Sequence, residues 1–129
     1  MVKKLKIFIV MSGSATAISD SEIMYLNILD SLKELGHDLT HYDFGLKWSA
    51  IKGSNEEEKK EHLTTDILKE LNSGDGYDLF LSFLTDLFVE PRLYLELKKI
   101  CPTVNWTCNS HQFDILHKKI SPHVDLNTF

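Results

Sequence analysis

Three short segments carry the residue types that could bind or react. Thr85-Asp86 follows an apolar run, and a carboxylate there can act as a general base or accept a hydrogen bond from a sugar hydroxyl, or simply be solvated in an exposed loop. Asn109-Ser110-His111 is a polar triplet able to hold a hydroxylated ligand, with His111 placed to shuttle a proton near neutral pH. The competing reading makes Ser110 a helix cap and His111 an exposed histidine. Ser12-Gly13-Ser14-Ala15-Thr16 offers backbone amides and hydroxyls ahead of a helix, which suits a phosphate or another anion, or serves as a plain turn. It lacks both the G-x-G-x-x-G of dinucleotide sites and the lysine of a P-loop.

The remaining polar side chains point to no metal or cofactor. His37 and His41 fall on one strand face but about two pleats apart, too far to share an ion. His62, His117 and His123 have no carboxylate or cysteine at ligand spacing, and no G-x-S-x-G elbow occurs. Cys101 and Cys108 flank a predicted strand and read as packed, reduced thiols. Trp48 and Trp106 read as packing residues, with Trp106 able to brace the loop after it.

Composition narrows the partners. The chain has 129 residues, 43% hydrophobic and 26% charged, which suits one globular domain over residues 1–129. Its net charge of -5 would repel polyanions, and its lysine pairs are scattered, so nucleic acid is not expected as a partner. No apolar run approaches the roughly 20 residues of a membrane span, and the basic start lacks a small-residue cleavage site. A cytoplasmic location follows as the expectation.

The elements that must position these segments alternate strand and helix. Leu5 to Met11 is apolar except for Lys6, the pattern of a central strand covered on both faces. Ser19-x-x-Glu22 reads as a capping box, followed by Tyr25, Ile28, Leu29, Leu32 and Leu35 at helical spacing and Gly36 as terminator. His37 to Phe44 alternates as an edge strand, and Gly45 to Gly53 reads as a connection. Ser54-x-x-Glu57 starts a second helix with Leu63, Ile67, Leu68 and Leu71 inward. Tyr77 to Leu84, Thr103 to Thr107 and Val124 to Phe129 read as further strands, with Pro91 opening the intervening helix and Ser110 capping a short one.

This βαβαβαβαβ order predicts a doubly wound, parallel, five-stranded α/β sheet of Rossmann/flavodoxin-like type, strand order 2-1-3-4-5. Ligands in such sheets bind beyond the carboxyl ends of the strands, near the reversal of strand order. That places the loops at residues 12–19, 85–90 and 107–111 together. The last strand has no following helix to cover its face, which predicts a truncated domain or one that packs against something else.

Several segments resemble a family. Leu35-Gly36-His37-Asp38-Leu39 is similar to the L-G-H-x-V turn after the first helix of two-domain (GT-B) glycosyltransferases. Asp78-Leu79-Phe80-Leu81-Ser82-Phe83, Glu96-Leu97-Lys98-Lys99 and Pro102 to Ser110 resemble the N-terminal half of the CgeB-like branch. The resemblance implies an acceptor-side domain that binds a sugar or glycan acceptor, with the nucleotide-sugar donor held by a second, C-terminal domain. By their place in the strand-end loops, and independently of the resemblance, Asp86 and His111 are the catalytic candidates, and Ser12, Gly13, Ser14, Thr85, Asn109 and Ser110 the substrate-binding ones. The branch often has an acidic pair where this chain has Asn109-Ser110, a departure at the loop that would react.

Two other readings compete. A flavodoxin-like small-molecule or nucleotide-binding module without catalysis fits the hydroxyl-rich first loop. A receiver-like signalling domain fits size and strand order, but Met11-Ser12-Gly13 stands where a receiver has an acidic pair.

Overall fold

The computed structural model describes residues 3–12, 25–52, 55–106 and 117–128. β1 (Lys6–Val10), β2 (Asp38–Tyr42), β3 (Leu79–Ser82), β4 (Thr103–Trp106) and β5 (Leu126–Thr128) form one sheet in the order β2-β1-β3-β4-β5, every pair parallel. The fold class and strand order are those expected from the apolar pattern: β1 is central and β2 lies at an edge.

Among the described residues, four α-helices flank the sheet. A π-helical stretch, Tyr25–Asp30, runs into α1 (Ser31–Glu34) and ends at Gly36. There the amide of Gly36 donates to Lys33 O at 2.9 Å and that of His37 to Leu32 O at 3.2 Å. This is the Schellman arrangement, which puts Gly36 at φ +92°, where a side chain would be strained. His37 then accepts the Leu5 amide on Nδ1 at 3.1 Å, tying the turn to the entry of β1.

α2 (Phe44–Ala50) replaces the plain connection expected between Gly45 and Gly53. Asp43 caps it, Oδ1 accepting from the Leu46 amide at 3.1 Å. A helix this short is unstable alone, and packing holds it: the rings of Phe44 and Trp48 both lie 5.0 Å from that of Phe88. α3 (Glu56–Ser73) starts one residue later than the Ser54 box predicts. Asn55 is its cap, accepting from the Glu58 amide at 2.9 Å. α4 (Arg92–Leu97) follows Pro91 as expected, and a 3-10 turn, Ser121–His123, precedes β5. The capping box at Ser19, the cap at Ser110 and Cys108 fall outside the described residues.

The two sheet faces are packed differently. On one, Phe8, Val10, Phe80 and Tyr42 meet Leu63, Ile67 and Leu71 of α3, Leu93, Tyr94 and Leu97 of α4, and Ile120 and Val124. We call this the closed face. On the other, Ile7, Ile9 and Met11 are buried with Leu29 of the first helix. No helix among the described residues is long and apolar enough to cross a membrane.

Candidate functional site

The strand order reverses between β1 and β3, and their carboxyl ends are joined where the Phe83 amide donates to Val10 O at 3.0 Å. Two of the expected loops leave side by side from this point. Ser12 follows β1 and rests against α2: a Cβ added at Gly45 would lie 2.5 Å from Ser12 Oγ, so a side chain at position 45 would displace the Ser12 hydroxyl. Thr85 makes its own turn, Oγ1 accepting from the Leu87 amide at 3.2 Å and its carbonyl from Phe88 at 3.1 Å. Gly13, Ser14, Asn109, Ser110 and His111 lie outside the described residues.

Asp86 is neither solvated nor available in this arrangement. It is 8% exposed, with Oδ2 accepting from the Lys119 amide at 2.9 Å and Oδ1 from the Ile120 amide at 3.0 Å. Both carboxylate oxygens are thus occupied by the backbone of the β4–β5 connection. The pattern is that of a cap: a charge-assisted pair of hydrogen bonds that anchors a turn otherwise left with orphan donors. His117 at the start of this turn is 4% exposed. Burial holds its imidazole below the ordinary histidine value, against the opposing pull of Asp86.

A second polar cluster lies beneath the same edge. Ser82 ends β3, and Asn105 is its register partner on β4. Asn105 Oδ1 accepts from the Leu84 amide at 3.0 Å while its Nδ2 donates to Leu84 O at 2.9 Å. The side-chain amide therefore pairs with the main chain in both directions and extends the β3–β4 ladder past the last strand residue. Ser82 Oγ donates to Asn105 Oδ1 at 2.7 Å and lies 2.7 Å from Tyr94 Oη. Ser82, Tyr94 and Asn105 are all fully buried. Desolvation drives the Tyr94 phenol well above its ordinary range, so it stays neutral and donates.

Neither Ser82 nor Asn105 stands out among the sequence candidates. The available signal was their parity: each is a polar residue at an inward position of an apolar strand, where an unpaired group is costly. Thr64 gives the same signal on α3, and its Oγ1 accepts the Glu90 amide at 3.0 Å.

His41 Nε2 lies 3.1 Å from Met11 O, a local contact, and no group of three or more metal-ligating side chains occurs among the described residues. Burial, reinforced by Asp125 and Asp78, pushes the Cys101 thiol up to about 11, leaving it unreactive at neutral pH.

Two concavities lie along α3. An open groove of about 700 Å³ runs along one side of α3, walled by that helix's own Glu57, Glu61, His62 and Lys69. A smaller one of about 330 Å³ lies between α2 and α3. Its Tyr42 hydroxyl donates to Asp66 Oδ2 at 2.6 Å and Asp66 faces Lys47 at 3.8 Å, so these three groups are paired with one another. No protein-family model, curated protein or solved structure matches the chain.

Proposed function

We propose that this chain is a small-molecule- or nucleotide-binding module whose described carboxyl edge acts as a rigid frame and not as a source of acid–base groups. One observation carries the reading: both oxygens of Asp86 accept backbone amides, from Lys119 and Ile120. A general base must reach the proton it abstracts, and burial with an amide on each oxygen restricts that access for Asp86. The frame leaves the position over β1 and β3, where the strand order reverses, for a ligand.

A more specific reading makes the module the acceptor-side half of a glycosyltransferase, its nucleotide-sugar donor held by a second domain. The segments resembling that family support it, among them the Leu35-Gly36-His37 turn. Asp86 would in that case position the acceptor loop and leave the chemistry to other groups.

Titration of the isotopically labelled chain with FMN, UDP and UDP-glucose tests both readings. Chemical-shift changes clustered at residues 12–19, 85–90 and 107–111 are expected for a binding module. Changes elsewhere, or none with any ligand, would refute it. Sugar release or transfer from UDP-glucose by the chain alone would contradict the non-catalytic assignment.

A further inference from the structure

We infer that the pocket between α2 and α3 is a second binding site, for a small hydroxylated phosphate ester. The cavity is about 330 Å³, at the small end of ligand sites, and the buried Tyr42 and Leu63 close it on the side of the core. None of its lining residues belongs to the loops at residues 12–19, 85–90 and 107–111. Its walls are fixed by contacts of their own. Lys47 Nζ lies 3.5 Å from Glu70 Oε1 and 3.8 Å from Asp66 Oδ2, and Lys59 Nζ lies 4.7 Å from the centre of the Trp48 ring. Ion pairs and a cation–π contact thus join α2 to α3 and hold the pocket open between them.

The lining selects the ligand. Lys52 and His62 are exposed and, among the described residues, neither has a hydrogen-bond or ion-pair partner, so both can donate to a ligand. An ammonium and an imidazole N–H are donors that a phosphate accepts in short, charge-assisted bonds. With Lys47, the lining sets two lysines and a histidine against one carboxylate, which favours an anion. The carboxylates further along α3 are already offset, Glu57 by Lys60 and Glu61 by Arg92. Asp66 defines the rest of the ligand. Tyr42 and Lys47 both meet it at Oδ2, and its Oδ1 accepts no hydrogen bond among the described residues. The Tyr42 hydroxyl, donating at 2.6 Å, holds that carboxylate in one orientation. An acceptor fixed beside an anion subsite suits a hydroxyl group and repels a second anion.

The test is titration of the isotopically labelled chain with glycerol phosphate, with glycerol and inorganic phosphate as comparison probes. Saturable chemical-shift changes at the Lys47, Lys52, His62 and Asp66 amides are expected with glycerol phosphate, and weaker binding of both comparison probes. The double variant Lys52→Gln, His62→Gln changes two exposed side chains and should weaken binding by about tenfold or more, the value of charge-assisted hydrogen bonds lost. Lys69→Gln, the same charge change elsewhere on α3, should leave it intact. The proposal is overturned by no saturable change at those amides, by equal affinity for inorganic phosphate, or by equal binding in the double variant. An equal loss in Lys69→Gln overturns it too, reducing the effect to the general charge of the helix. Any response to FMN or UDP at the strand-end loops should persist in the double variant. Its loss there would overturn the assignment of a separate site.

Discussion

The closed and open faces of the sheet share strands and differ in everything placed on them. The closed face carries the buried aromatic residues Phe8, Phe80, Tyr42 and Tyr94, and around them the fully buried polar groups Thr64, Ser82, Thr103 and Asn105. The residues buried on the open face are Ile7, Ile9, Met11 and Leu29, apolar throughout, and that burial fades from β1 to β5. The difference separates two uses of burial. On the closed face, polar groups with specific partners fix one arrangement of the strand exits; on the open face, apolar area supplies adhesion without directional bonds.

The comparison breaks most visibly at matched truncations. Phe80→Ala on the closed face should cost about 3–5 kcal/mol in urea denaturation, whereas Leu126→Ala on the open face should cost under about 1 kcal/mol. Similar values would mean that the faces are not packed as described. Asn105→Ala should follow at about 2–4 kcal/mol, because it leaves the Leu84 amide and carbonyl, Ser82 and Tyr94 without their shared partner. A cost near that of an ordinary surface substitution would show the network to be dispensable.

A smaller effect is set by pH. Burial lowers the His117 value in the folded chain, so the unfolded chain takes up a proton first as the medium is acidified. The associated stability is complete above the unfolded histidine value of about 6.5 and is lost as the pH falls through the lowered folded value. Urea midpoints from pH 8 to 5 should decline on the acid side in wild type, and less in His117→Asn. An unchanged slope in that variant would assign the decline to other groups.

Much of this arrangement was legible in the residues. The apolar run at β1 marks a central strand, the Gly36 turn ends its helix where the pattern places it, and alternation puts β2 at the edge. α2 was hidden because Phe44 to Ala50 is too short and too glycine-marked to look helical, and its stability comes from Phe88, distant in sequence. The α3 cap was displaced by one residue because serine and asparagine are both good cap types in adjacent positions, and it is Asn55 that accepts the Glu58 amide. Asp86 had the local signature of a solvated loop carboxylate or a base. What decides otherwise is a pair of amides at Lys119 and Ile120, and no local pattern announces partners so far along the chain.

Asp86 is therefore where the account is most directly tested. Amide hydrogen exchange should be measured for wild type and Asp86→Ala, alongside FMN and UDP titrations of both proteins. A structural clamp predicts faster exchange at Lys119 and Ile120 in the variant, with ligand affinity changed no more than the overall loss of stability explains. Unchanged protection at those two amides together with abolished ligand binding would contradict it, and would return Asp86 to the role of a residue that touches substrate.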